Sequence, residues 1–325
     1  MIYTSKWFTP AVLFLITLAT TTITGMGYSG ASLNEWYRGL WFSLPLMFIL
    51  LTHEMGHYLV AKKHRVDVSP PYFIPLPPPL GLGTLGAVIK MKDPVTKPSA
   101  LIDIGAAGPL AGLVAAFFVL IAGISMSTVS DIPLNRNYEL MSEGNSIFYL
   151  LIKYIIKGEL LPSGNRDIMM HPVAFAGWIG LLITMINLIP VGQLDGGHIA
   201  HGKFGNKYND LSDLLHRFLP VFGVVIVVYV TFDSFFSSYL KYVWFDLSGL
   251  SGQAPSFIKS FQSGISSAIP WFIWPIMLLV IRKLSGGAAH PPVSEGSLTK
   301  TNHITFWVIV VVFIIIFMPV PMRMN

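Results

Sequence analysis

The chain contains about seven apolar runs, each close to the roughly 20 residues that an α-helix needs to cross a hydrocarbon core. They fall near residues 8–27, 40–61, 101–127, 171–192, 216–236, 267–284 and 304–321. In lipid every backbone N–H and C=O must find its partner within the protein, so runs of this kind are expected to be helices. Composition points the same way: of 325 residues 53% are hydrophobic and only 11% charged, with a mean hydropathy of +0.63. Soluble domains carry about 25% charged residues. The expected fold class is therefore an all-α polytopic membrane protein with about seven transmembrane helices. The first run has only Lys6 ahead of it and lacks a small-residue cleavage site, which reads as a retained anchor over residues 1–39 and not as a cleaved signal peptide.

The formal net charge of +5 is carried by Lys and Arg at the ends of apolar runs. Lys62, Lys63 and Arg65, then Lys90, Lys92 and Lys97, then Lys203 and Lys207, then Arg282 and Lys283 all fall on one side if the amino terminus is cytosolic. The excess is a topology signal and gives no reason to expect a nucleic-acid partner. Trp36, Tyr37 and Trp41 suit the opposite interface, where amphipathic rings settle at headgroup level. With no cysteine in the chain, thiolate metal sites, thiol nucleophiles and disulfides are excluded, and any metal must be held by His, Asp or Glu.

Residues 69–98, SPPYFIPLPPPLGLGTLGAVIKMKDPVTKP, are too rich in proline for a helix and too apolar for an ordinary solvated loop. The GTLGAVIKM portion, residues 83–91, predicts a short membrane-associated strand or hairpin. Residues 146–160 are apolar with Lys153 and Lys157 four apart, which suits either a helix in the outer interface or a simple connector. Residues 285–302, rich in Gly, Ser and Pro, read as a cytosolic linker. No internal repeat is evident.

Within the second apolar run lies HEMGH, residues 53–57. On a helix His53 and His57, spaced i and i+4, project from one face and can bind one ion. Glu54 beside them can accept a proton from water, the general-base role of zinc hydrolases. Three ionisable groups in lipid are costly and usually face a cavity or one another. A catalytic tetrahedral zinc takes three protein ligands, so one is missing. The best candidate is Asp195, in the segment NLIPVGQLDGGH, where Pro190 and Gly192 should interrupt an apolar span that carries Asn187. Broken backbone at membrane depth is tolerated only where it is buried in protein or lines a wet cavity. With both runs passing from outside to inside, the two motifs meet near the cytosolic leaflet.

HEMGH, NLIPVGQLDGGH and the intervening GAAGPLAG (residues 105–112) together resemble the site-2 protease family of intramembrane zinc metalloproteases. The resemblance covers about residues 40–200 and is far more specific than HExxH alone. It implies a three-helix catalytic core over that region, Zn2+ held by His53, His57 and Asp195, and Glu54 as catalytic base. It further implies that Asn187 contacts substrate or steadies the oxyanion. No segment reads as an inserted PDZ module, and the C-terminal helices of residues 201–325 acquire no role from it. The activity implied is hydrolysis of peptide bonds within or next to the transmembrane segments of membrane proteins.

A helical substrate must unwind before its carbonyls can react. The strand of Gly86, Ala87, Val88 and Ile89 would then either pair with the opened backbone or act as a structural hairpin sealing the site. Gly108 and Gly112 have the small-xxx-small spacing of close helix packing, with Pro109 opening the helix as a lesser reading. His198 and His201 read as solvated residues near the cytosolic face, His171 as interfacial, and Asp103 as a helix cap or a neighbour of the cavity. The expected partners are a membrane-protein substrate and the bilayer, in a prokaryotic cytoplasmic membrane or a plastid-type one. The competing class is a metal or solute transporter with a His/Asp site in broken helices, which would predict matching motifs in two halves. A catalytically silent protein of the same fold is a third reading, set against an intact Glu54.

Overall fold

The computed structural model describes residues 6–78, 81–92, 94–131, 141–163, 166–247, 254, 256–284, 293–294 and 296–324. Half of the expected linker, residues 285–302, lies outside the described residues, and its last three residues are the first turn of α9 and not linker. In chain order the elements are α1 (Phe8–Tyr28), α2 (Leu40–Lys63), β1 (Tyr72–Pro75), β2 (Thr84–Val88), α3 (Pro98–Met126), β3 (Thr128–Asp131), β4 (Met141–Glu143), α4 (Ile147–Lys157), β5 (Arg166–Met169), α5 (Pro172–Asn187), α6 (Asp195–Phe204), α7 (Tyr208–Leu247), α8 (Phe257–Leu284), α9 (Lys300–Ile316) and β6 (Met322–Met324).

Each of the seven apolar runs contains a helix. Five helical stretches, Phe8–Tyr28, Leu33–Lys63, Pro98–Met126, Asp195–Leu240 and Phe257–Val280, are long and apolar enough to cross a membrane. α5 and α9 are apolar but shorter, at 16 and 17 residues. The protein is thus an all-α polytopic membrane protein, and among the described residues its strands form three two-stranded antiparallel ladders.

The described residues divide into two compact units. The first holds α1 to α3, β3, α4, β5, α5, α6 and α9 with the β1–β2 hairpin. In it α3 lies against α2, α5 and α6. Small residues allow the close approach: a Cβ on Gly56 would overlap the Ala107 carbonyl of α3, and one on Gly123 would meet the backbone of Ala174 in α5. The core is apolar, with Phe42, Leu46, Ile102, Leu120, Trp178 and Met185 almost fully buried.

The hairpin expected around residues 83–91 forms between β1 and β2, with Tyr72 opposite Val88 and Phe73 opposite Ala87. It is held to α1 by the buried Phe73, edge-on to Phe14 at 5.1 Å, and by Thr20, whose hydroxyl donates to the Gly83 carbonyl at 2.7 Å. Gly83 sits at φ +78°, with Thr20 and Thr21 backbone where a Cβ would lie, so both conformation and space require glycine there. Beyond the hairpin, Asp67 pairs with Lys92 at 2.6 Å and Lys62 at 3.5 Å. These cations, Lys92 foremost, hold its carboxyl below the usual range.

The apolar segment at residues 146–160 is the amphipathic helix α4. Its outward face carries Ile147, Leu151, Tyr154 and Ile155, all more than half exposed. The β3–β5 ladder, Thr128 to Asp131 against Met169 to Arg166, lies outside the apolar runs and had no sequence signal of its own. The second unit comprises α7 from Asp210 onward, α8 and the β4–β6 ladder. There the Trp271 indole donates to the Pro319 carbonyl at 2.8 Å, and Arg323 pairs with Asp233 at 2.7 Å.

Candidate metal centre

α2 turns both HEMGH histidines inward. His53 and His57 are buried, with 5% and 6% of their surface exposed, and their rings lie 4.9 Å apart. What makes room for them is α3. A Cβ on Gly108 would occupy the space of the His57 imidazole, and one on Gly112 would come within 3.0 Å of His53 Nδ1. The small-residue spacing in GAAGPLAG is therefore close packing, as expected, but its partners are the two imidazoles.

The break between α5 and α6 delivers the carboxylate. α5 ends at Asn187, and the chain turns through Pro190 and Gly192, the latter at φ +57°. α6 then begins at Asp195, which places its carboxylate at the positive end of a new helix. Asp195 Oδ2 lies 3.2 Å from His53 Nε2, and Oδ1 lies 3.2 Å from His57 Nε2. The two Nε2 atoms are 3.2 Å from each other.

The tautomer of His57 follows from its other nitrogen. Nδ1 is 2.7 Å from the carbonyl oxygen of Ile104, which can only accept, so in the neutral ring Nδ1 carries the proton and the Nε2 lone pair points at Asp195 and His53. Three donor atoms thus converge in an apolar interior. The 3.2 Å between the two Nε2 atoms is close to the edge of a tetrahedron of donors, about 3.3 Å when each sits roughly 2.0 Å from its centre, and one ligand atom from each of the three residues lies within 4.8 Å of the others. His53, His57 and Asp195 are the one group of three or more such side chains, among the described residues, placed to hold a metal ion. Nitrogen and carboxylate donors with no thiolate suit a borderline divalent ion such as zinc.

Glu54 is buried beside the triangle at 7% exposure, with the backbone of Ile89, just beyond β2, near its carboxylate. Asn187, at the end of α5, places Nδ2 3.4 Å from His53 Nε2. The strand residues Gly86 to Ile89 lie on the hairpin, and part of their hydrogen bonding is already in use. The Gly86 N–H donates to the Thr84 hydroxyl at 2.9 Å, while Ala87 and Val88 stand opposite β1.

The remaining histidines and Asp103 are held by the fold in different ways. His201 is fully buried against the Tyr208 ring, 5.6 Å away, and is not a solvated histidine. His198 lies one turn beyond Asp195 and is half-buried. Asp103 is no cap: it sits inside α3 and faces His64 Nε2 at 3.0 Å. His171 caps α5, its Nδ1 accepting from the Val173 N–H at 3.3 Å, with Trp41 edge-on at 5.7 Å. The Ile104 carbonyl could not have been anticipated, because a backbone acceptor leaves no mark in side-chain patterning.

Comparison with known proteins places this arrangement. The chain is 35% identical over 171 residues to "Probable zinc metalloprotease EGY1, chloroplastic" of Arabidopsis thaliana, covering 51% of this chain and 30% of that protein. It is 34% identical over 174 residues to the protein of the same name from Oryza sativa subsp. japonica, covering 50% and 28%. With "Probable zinc metalloprotease EGY2, chloroplastic" of Arabidopsis thaliana it shares 33% over 169 residues, covering 52% and 29%. The match spans less than a third of each of these relatives. A family model, Peptidase family M50, matches residues 41–230, a stretch that contains all but the first residue of α2, together with α3, the broken α5–α6 segment and His53, Glu54, His57, Asn187 and Asp195. The chain belongs to Peptidase family M50.

Proposed function

We propose that this protein is an intramembrane zinc metalloprotease that hydrolyses peptide bonds within or next to the transmembrane segments of membrane-protein substrates. The observation that carries the reading is the convergence of His53, His57 and Asp195, with Glu54 beside them, inside apolar helices. Family membership and the names of the EGY relatives agree with it.

The metal ligands are His53, His57 and Asp195. A zinc ion held there would supply a Lewis acid and bring the pKa of water towards about 7. The hydrogen bond from His57 Nδ1 to the Ile104 carbonyl keeps the ring in its ligating orientation. Glu54 takes the proton of the attacking water and delivers it to the leaving nitrogen. Asn187 offers an amide donor to the scissile carbonyl as negative charge develops there. Burial excludes bulk water and strengthens each of these interactions.

The substrate is a transmembrane helix unwound near its cleavage point. Its extended backbone pairs with the strand around Gly86 to Ile89, using hydrogen-bonding groups not already engaged within the hairpin. Residues 1–39 serve as an anchor, residues 40–200 as the catalytic core and residues 201–325 as appended helices. The lysine clusters support a site near the cytosolic leaflet. A prokaryotic cytoplasmic membrane suits this design, as does a plastid-type membrane, the location named for the EGY relatives. Transport is disfavoured because HEMGH and LDGG do not recur in a second half.

The test is zinc content per chain in purified wild type beside Asp195→Ala, followed by cleavage of a single-span model substrate. About one zinc in the wild type, clear loss in the variant, and cleavage abolished by chelator and restored by zinc are expected. A well-folded wild type with little zinc overturns the reading.

A further inference from the structure

No motif marks α9, yet its first turn reaches α3, which packs on the two imidazoles, and α6, which Asp195 opens. Asn302 is buried at 3% exposure, and its Nδ2 donates to Asp103 Oδ1 in α3 at 2.8 Å. The other carboxylate oxygen of Asp103 lies 3.0 Å from Nε2 of His64, the residue that ends α2. Next in sequence after Asp103 is Ile104, whose carbonyl orients His57.

A second set of contacts ties the same turn to α6, the helix that Asp195 opens. His303 Nδ1 accepts from Lys203 Nζ at 2.6 Å, and Phe306 meets Phe204 edge-on at 5.7 Å. The approach to α9 is fastened as well, since the Ser294 N–H donates to the Thr96 carbonyl at 2.9 Å, just ahead of α3.

Asn302 serves two purposes with one amide. Its Oδ1 accepts from the Thr299 N–H at 3.0 Å and the Thr299 hydroxyl at 2.7 Å, closing the helix cap. Only Nδ2 reaches Asp103. An apolar side chain would suffice for packing a helix in this position. A buried amide between a cap and a carboxylate instead fixes direction, because both ends of the hydrogen bond are held by helices. The axial rotation of α3 at Asp103 is thereby set, and with it the aim of the adjacent Ile104 carbonyl. Groups that orient a metal-binding histidine in this way typically change metal affinity by about 10- to 100-fold when removed.

We infer that Asn302 is a positioning residue for the metal centre: through Asp103 it locks α3, whose next residue orients His57, against the ends of α2 and α6. The inference rests on the zinc-site reading above and adds a function for α9 within it.

The experiment follows zinc release from the full-length, zinc-loaded protein in detergent to a chromogenic chelator, comparing wild type with Asn302→Ala, Asn302→Asp and Thr299→Ala. Asn302→Asp keeps the size of the side chain and its acceptor for the cap but sets a carboxylate against Asp103. It therefore tests the bridge even if Asn302→Ala does not fold. Thr299→Ala weakens the cap and leaves the bridge. Both Asn302 variants are expected to release zinc about tenfold faster or more, with Thr299→Ala close to wild type. Wild-type retention in Asn302→Asp, or equally fast loss in Thr299→Ala, overturns the positioning role while the zinc site stands. A wild type that holds no zinc brings down the zinc-site reading itself.

Discussion

Gly108 and His57 occupy one space: where a Cβ on the glycine would lie, the imidazole already sits. The requirement runs from the proposed ligand to its scaffold, since α3 must present a bare backbone for α2 to aim its second histidine. Gly108→Ala is therefore expected to displace His57 and lower zinc affinity by about tenfold or more. Gly112→Ala, where the new carbon would come within 3.0 Å of His53 Nδ1, should have a smaller effect. Zinc per chain after dialysis against a weak chelator ranks the two, and equal retention by Gly108→Ala would refute this account of the motif.

Glu54 and the ligands should separate cleanly in their effects. Glu54→Gln keeps the size of the side chain and leaves His53, His57 and Asp195 in place, so the variant should hold zinc normally while its turnover falls by about 10²- to 10⁴-fold. His57→Ala should lose both metal and activity. Substantial cleavage by Glu54→Gln would mean that some other group moves the proton.

The helices and the metal triangle were legible for the same reason: lipid leaves few backbone options, and ionisable residues in apolar runs stand out. HEMGH can meet one ion only as a helix, and Pro190 with Gly192 marks the break that brings Asp195 to it. What stayed hidden involves partners far apart in sequence. The small spacing of Gly108 and Gly112 announces a close neighbour without naming it, and Ile104 acts through its carbonyl, which every residue possesses. His201 misled for a related reason: a histidine near a basic cluster is usually solvated, but here Tyr208 covers it. The β3–β5 ladder escaped notice because its strands, four residues each, are too short to establish an alternating pattern.

The hairpin has its own polar anchor in Thr84, which is 5% exposed. Its hydroxyl donates to the Ile74 carbonyl at 3.0 Å and accepts from the Gly86 N–H at 2.9 Å. Thr84→Val keeps the shape but strands both backbone groups, at a cost of about 1–3 kcal/mol. The penalty is local, so amide exchange in residues 84–89 should quicken while zinc content is unchanged. If the strand receives substrate, the specificity constant should fall in parallel; unchanged cleavage despite faster exchange would leave the hairpin as a seal.

Asn187 offers the sharpest test of how the site stabilises charge. Its amide lies 3.4 Å from His53 Nε2, near enough to reach the triangle yet without the donor chemistry of a preferred zinc ligand. If it serves the scissile carbonyl, Asn187→Ala should retain zinc and bind substrate almost normally but lose about 10²- to 10³-fold in kcat, the usual effect of deleting one oxyanion donor. If it instead steadies His53, zinc release should quicken in the same variant. Single-turnover cleavage at saturating substrate, measured beside zinc release, decides between the two roles, and a variant normal in both would exclude Asn187 from the site's chemistry.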